Sequence, residues 1–187
     1  MLPKLATLTD EEYLARERAS ENRTEYLDGE LLAMAGASER HNLLVANLVR
    51  LLGNHFLDRE CRVYPSDMRV HIEALGSFTY PDVSVVCGAS QFHDERRDTL
   101  LNPEIIIEVL SPSTEAHDRG RKFHHYQHLD SLDTFILVTQ DHPRIEIFQR
   151  RADGTWTYKE HHNLDDVASL TAIDFEIKLR DLYAKVL

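Results

Sequence analysis

One segment constrains the fold more than any other: Glu104-Ile105-Ile106-Ile107-Glu108-Val109-Leu110. A nearly continuous apolar run of this length suits a central strand buried on both faces of a sheet. Successive side chains in a strand point to opposite faces, so Glu108 shares its face with Ile106 and Leu110. A carboxylate there is costly unless it is paired, protonated or bound to a cation. The chain must therefore bury this strand and also accommodate Glu108.

The remaining elements can be read around it. Thr9 and Glu12 have capping-box spacing, which predicts a short helix over Thr9–Arg18. Arg23–Gly36 reads as a hairpin turning at Asp28-Gly29. Ser38 caps a long helix running to about Phe56, with Leu44, Leu48, Leu51 and Leu52 at helical spacing and Val45 and Val49 widening the stripe. Strands are predicted at Arg62–Tyr64, at Met68–Ile72 with Arg69 and His71 on an exposed face, and at Tyr80–Val86. Gly88–Leu101 reads as a polar loop. A helix is predicted over about Ala116–Leu129, then strands at Thr134–Val138, Arg144–Gln149 and Thr155–Glu160, the last two joined at Asp153-Gly154. A final helix covers about Leu179–Val186. Helices and strands mix without strict alternation, which predicts an α/β (α+β) fold: a central mixed sheet flanked by helices, with an N-terminal β-hairpin.

The 187 residues suit one domain over 1–187, and no Pro-, Gly- or Ser-rich linker divides them. With 42% hydrophobic and 28% charged residues, collagen, coiled coil and wholesale disorder are excluded. No apolar stretch approaches the roughly 20 residues needed to span a bilayer. Met1–Asp10 lacks the apolar core of a secretory signal, so a cytoplasmic location with no membrane partner is expected. Cys61 and Cys87 form no Cys-x-x-Cys pair. They are expected as reduced, buried thiols, with a disulfide between them as the alternative. The net charge of −11 argues against a general DNA-binding module, which normally presents a basic surface. It argues less against a nuclease, whose metal ions bring positive charge to the reacting phosphate.

Asp82 follows Pro81 and opens the run Val83-Ser84-Val85-Val86. With Glu108 on a neighbouring strand, the two carboxylates suit Mg²⁺ or Mn²⁺; the plainer alternative is that each meets an arginine. Lys122 lies 14 positions after Glu108, on the helix that leaves this strand, and could be aimed back at it. The plainer alternative is a surface pair with Asp118, worth about a few tenths of a kcal/mol, in a solvated basic cluster with Arg119 and Arg121. Glu25, in the first hairpin strand, is the fourth candidate, with Glu30 its rival across the turn. His41 opens the long helix and could hydrogen-bond a site carboxylate. The 11 histidines include His124 and His128 at zinc-compatible spacing and the pair His161-His162, but no third ligand is suitably spaced, so surface histidines are expected. No Walker or Rossmann glycine pattern occurs, and Ser111 lacks the Gly-x-Ser-x-Gly frame.

In order, Glu25-Tyr26-Leu27-Asp28-Gly29-Glu30, Ser38-Glu39-Arg40-His41-Asn42, Tyr80-Pro81-Asp82-Val83, Glu108-Val109-Leu110-Ser111-Pro112-Ser113-Thr114 and Asp118-Arg119-Gly120-Arg121-Lys122 resemble the Uma-two family. That family lies in the PD-(D/E)XK, restriction-endonuclease-like superfamily. The resemblance implies a restriction-endonuclease-like fold, Asp82 and Glu108 as metal ligands, and a metal-dependent endonuclease acting on nucleic acid, with DNA the expected substrate. The superfamily's lysine two residues after the acid is Leu110 here, and the family supplies Lys122 instead. Glu25 and His41 match the family's N-terminal glutamate and helix-start histidine, and a homodimer is implied. The alternative is a degenerate nuclease fold that binds nucleic acid or a protein partner without cleaving.

Overall fold

The computed structural model describes residues 8–34 and 36–187. The expectation of no signal segment falls mostly on residues 1–7, and the expected hairpin includes Ala35; residues 1–7 and 35 lie outside the described residues. Helix α1 (Asp10–Ala19) opens with the expected capping box: Thr9 Oγ1 accepts from the Glu12 amide (3.2 Å) and Glu12 Oε2 from the Thr9 amide (2.8 Å). The hairpin follows as β1 (Thr24–Leu27) and β2 (Glu30–Ala33). Asp28 and Gly29 take φ values of 51° and 83°, the left-handed pair a tight hairpin turn demands. Helix α2 (Glu39–His55) begins where Ser38 Oγ accepts from the His41 amide (3.1 Å), and it buries Leu44, Leu48 and Leu52 completely. Each such leucine contributes roughly 1.5–3 kcal/mol.

Two sheets follow. The larger contains β3 (Cys61–Pro65), β6 (Val83–Cys87), β8 (Ile105–Leu110), β9 (Thr134–Thr139), β10 (Ile145–Arg150) and β11 (Trp156–His161), in the order β11-β10-β9-β8-β6-β3. Only β8 and β9 pair in parallel; the other neighbours are antiparallel, so the sheet is mixed as expected. The smaller sheet adds β4 (Arg69–Ile72), β5 (Ser77–Thr79) and β7 (Thr99–Leu100) to the hairpin, in the order β2-β1-β5-β4-β7. Strands β12 (Val167–Leu170) and β13 (Phe175–Lys178) form a separate hairpin before α5 (Leu179–Leu182).

Strand β8 is central and buried throughout. Ile105, Ile107 and Val109 pack with α2 and the C-terminal segment. Ile106 and Leu110 pack on the other face with Val70, Ile72, Leu100 and Tyr126. Glu108 is on this second face, between the two sheets.

Several elements depart from the sequence reading. The expected helix 116–129 is broken into α3 (Glu115–His117), a π-helical turn (Asp118–Lys122) and α4 (Phe123–Tyr126). The expected loop 88–101 contains β7, which pairs parallel with β4. The strand predicted from Tyr80 starts at Val83, and the last helix is a single turn. Strand β4 is buried on both faces rather than half-exposed: Arg69 is enclosed and donates to Tyr80 Oη (2.9 Å) and Thr99 Oγ1 (3.0 Å). Cys61 and Cys87 are joined as a disulfide rather than being free thiols. They face each other across β3 and β6, an adjacency hidden by a sequence separation of 26. No helix among the described residues is long and apolar enough to cross a membrane.

Arg18 fastens α1 to the loop before β7, donating through Nε and Nη2 to the two carboxylate oxygens of Asp98 (2.9 and 2.6 Å) and through Nη2 to Asp94 (3.0 Å). The Arg18 hydrogen bonds hold the Asp98 carboxyl down at about 2. A depressed carboxyl stabilises the fold above its unfolded value of about 3.9, and that gain is lost as pH falls through the folded value. Because the carboxylate is 35% exposed, Asp98→Asn is expected to cost only about 0.5–1 kcal/mol at pH 7. Urea unfolding at a series of pH values should show this deficit shrinking between pH 4 and pH 2; a deficit constant with pH would contradict the assignment.

Candidate functional site

The register Val83↔Ile107, continued one step, sets Asp82 across from Glu108. The Val109 amide donates to Asp82 Oδ2 (2.7 Å), and His41 Nε2 lies 3.0 Å from Asp82 Oδ1. Burial works against the charged His41 ring, but the hydrogen bond and charge of Asp82 raise it above its ordinary value. The N-terminal turn of α2 thus delivers His41 to the carboxylate that opens β6.

Lys122 arrives from the other side. The π-helical turn turns both Asp118 and Lys122 inward, each with only 5% exposure. Such turns are frequent at functional sites. Lys122 Nζ sits 2.8 Å from Glu108 Oε1, 2.9 Å from Glu25 Oε1 and 3.6 Å from Asp118 Oδ1. Tyr126, one turn further on, donates to Glu108 Oε1 (2.8 Å). Glu25 reaches in from β1 and also accepts from the Tyr80 amide (2.9 Å).

Four carboxylates thus share this region with one lysine. Burial would raise Glu25, but the Lys122 charge, nearby His117 and the Tyr80 amide bring it down to about 2. Glu108 moves the opposite way. Its burial, reinforced by Asp118, Asp82 and Glu25, outweighs the pull of Lys122 and lifts it well above the usual carboxylate range. Burial likewise raises Asp118 despite Lys122. For Lys122, burial favours the neutral amine, but Glu108 and Glu25 overcome it and keep the ammonium charged. Lys122 is shared between Glu25 and Glu108, and Glu108 is the carboxyl in most need of a proton or a cation.

The sequence candidates Glu25, Asp82, Glu108, Lys122 and His41 therefore occupy one region. The rival Glu30 is exposed and accepts from Arg121 Nη1 (2.9 Å). The Lys122–Asp118 contact is buried rather than on the surface. Nor are Arg119 and Arg121 a solvated basic face. Arg119 makes a two-bond contact with buried Glu146 (2.6 Å each), and Arg121 is tied to Asp28, Glu30 and the Leu27 carbonyl. Sequence reasoning missed His117 and Tyr126, whose only signal is their position on the same helical segment as Lys122. His117 Nε2 is buried without a hydrogen bond, 3.8 Å from Glu25 Oε2.

His124 and His128 are exposed, as expected. The histidines nonetheless require a correction, because His71, His93 and Asp10 bring one ligand atom each within 4.8 Å of one another. Among the described residues this is the one His/Cys/Asp/Glu group assembled that tightly, and it gives the protein a potential metal-binding cluster. Spacing in the sequence could not reveal it, because the three residues come from three separate elements.

A family model described as "Uma2: Putative restriction endonuclease" matches residues 10–180. Among curated proteins, the uncharacterized protein sll1609 of Synechocystis is 38% identical over 153 residues, covering 82% of this chain and 86% of that protein. The uncharacterized protein slr1290 of the same organism is 37% identical over 151 residues, covering 80% and 77%. The fold is similar to that in the crystal structure of a putative nuclease belonging to DUF820 from Anabaena variabilis, with a TM-score of 0.79 over 96% of this chain and 99% of that one at 18% identity. A mixed sheet flanked by helices, this architecture and the match over residues 10–180 agree: the chain belongs to the Uma2 family, within the PD-(D/E)XK nuclease superfamily.

Proposed function

We propose that this nuclease-fold protein is a divalent-metal-dependent phosphodiesterase, an endonuclease acting on nucleic acid, with DNA the expected substrate. The observation that carries this reading is the convergence of Glu108, Glu25 and Asp118 around a single ammonium, Lys122, with Asp82 across from Glu108 on the neighbouring strand. An excess of buried hard oxygen donors, with Glu108 destabilised by its neighbours, fits Mg²⁺ or Mn²⁺ better than a softer metal. Asp82 and Glu108 would hold the ion, which when bound lowers the pKa of water and offsets phosphate charge. His41 and the Val109 amide orient Asp82, and Tyr126 orients Glu108. Glu25 anchors the charged Lys122. Lys122, whose ammonium Glu108 and Glu25 favour, would stabilise charge building on the phosphate. A homodimer in the cytoplasm belongs to the same proposal.

A second reading is favoured by specific observations. Lys122 fills the space between Glu25 and Glu108, Arg119 and Arg121 are consumed by acidic partners, and the net charge is −11. A degenerate nuclease fold that binds a partner without cleaving would have these features. Incubating purified protein with single- and double-stranded DNA and RNA in Mg²⁺ or Mn²⁺, beside Asp82→Ala, separates the two. Metal-dependent cleavage lost in the variant is the expected result; equal products from both proteins, or none from either, would refute the phosphodiesterase reading.

A further inference from the structure

Outside this region, one buried imidazole lacks a hydrogen bond at either ring nitrogen, and two metal-binding side chains lie beside it. His71, on β4, is 2% exposed, and neither of its ring nitrogens makes a hydrogen bond. Its ring lies flat on Phe78, with centroids 4.1 Å apart and planes parallel, which fixes the plane in which both nitrogens lie. Nε2 lies 3.2 Å from Asp10 Oδ2 without completing a hydrogen bond. The His93 ring stands edge-on to His71, at 5.1 Å between centroids. Buried polar groups are normally satisfied, so an orphaned imidazole between a carboxylate and a second imidazole requires a physical reason.

We propose that Asp10, His71 and His93 form a transition-metal site of the zinc class, separate from the carboxylate site and structural in role. Two imidazoles and one carboxylate make a borderline donor set that suits Zn²⁺ and its first-row neighbours, whereas Mg²⁺ prefers oxygen alone. Metal-bound histidine must be neutral. Asp10 is 35% exposed, which leaves solvent a path to complete the coordination sphere.

The placement defines the function. Asp10 is the first residue of α1, His71 is central to the smaller sheet, and His93 precedes β7, where its amide donates to the Thr99 carbonyl (3.0 Å). An ion held by all three ties the N-terminal helix and the 88–98 loop to β4, alongside the Arg18–Asp98 contact. None of the three residues belongs to the cluster around Lys122.

The test is Zn²⁺ titration of the full chain by calorimetry, with Tm measured alongside and Co²⁺ as a spectroscopic probe. One equivalent of Zn²⁺ should bind and raise Tm, and Co²⁺ should show the visible absorption of a nitrogen-ligated site. His93→Ala and Asp10→Asn alter less buried groups than His71 and should each weaken Zn²⁺ by about tenfold or more. Asp82→Ala should leave it unchanged, which separates this site from the proposed phosphodiesterase centre. Unchanged Zn²⁺ affinity in both His93→Ala and Asp10→Asn, or no stoichiometric Zn²⁺ binding by the wild type, would overturn the proposal.

Discussion

Lys122→Ala is expected to lower phosphodiester cleavage by about 10²–10³-fold, the scale typical of a lost charge-stabilising donor. It should also destabilise the metal-free protein by about 3–5 kcal/mol, because it leaves Glu25, Glu108 and Asp118 buried without their common cation. The two losses should respond differently to Mg²⁺. Stability should recover in part, since removing a positive charge strengthens cation binding, while the rate should not. Lys122→Arg should rescue neither fully, because a planar guanidinium does not fit a pocket shaped around one ammonium. Urea unfolding with and without Mg²⁺, paired with single-turnover cleavage, reads both effects. Full activity in Lys122→Ala would remove the lysine from the chemistry even if Asp82 proved essential.

Glu108→Gln is expected to abolish the stabilisation that Mg²⁺ gives the wild type. A ligand that binds only the native state contributes about 2.7 kcal/mol at a hundred times its Kd, so the effect is large enough to read by thermal unfolding. In the absence of metal the sign reverses. The folded Glu108 carboxyl holds its proton more tightly than an unfolded one, so above the unfolded value of about 4.3 it costs stability, and the cost grows as pH rises. Replacing it with a neutral amide removes that cost, and the metal-free variant should be at least as stable as the wild type at pH 7. A variant that keeps its Mg²⁺ shift would place the ion elsewhere.

The sequence revealed the features set by local chemistry. Capping at Thr9 and Ser38, the Asp28-Gly29 turn and the β8 run each bring their signal within a few residues, and all are found where expected. Period-two alternation also put Glu108 on the face it occupies. What the sequence hid depends on partners distant along the chain. The alternation at Arg69 and His71 suggests an exposed face only if nothing covers β4, but α1 and the 88–98 loop do. Cys61 and Cys87 meet only because β3 pairs with β6. The π-helical turn at Asp118–Lys122 has no clear sequence mark beyond Gly120 inside a helical stretch, yet it is what buries Asp118 and Lys122 together. Histidine spacing pointed to the exposed His124 and His128 and missed His71 and His93, which are brought together by tertiary structure alone.

A crystal structure of the protein in Mn²⁺, with anomalous scattering to locate the ion, tests the carboxylate site most directly. The expected result is an anomalous peak coordinated by Asp82 and Glu108, with Lys122 Nζ displaced from its position between Glu25 and Glu108. Manganese found only at Asp10, His71 and His93, with Lys122 still bridging the two glutamates, would contradict a metal-dependent centre at Asp82 and Glu108.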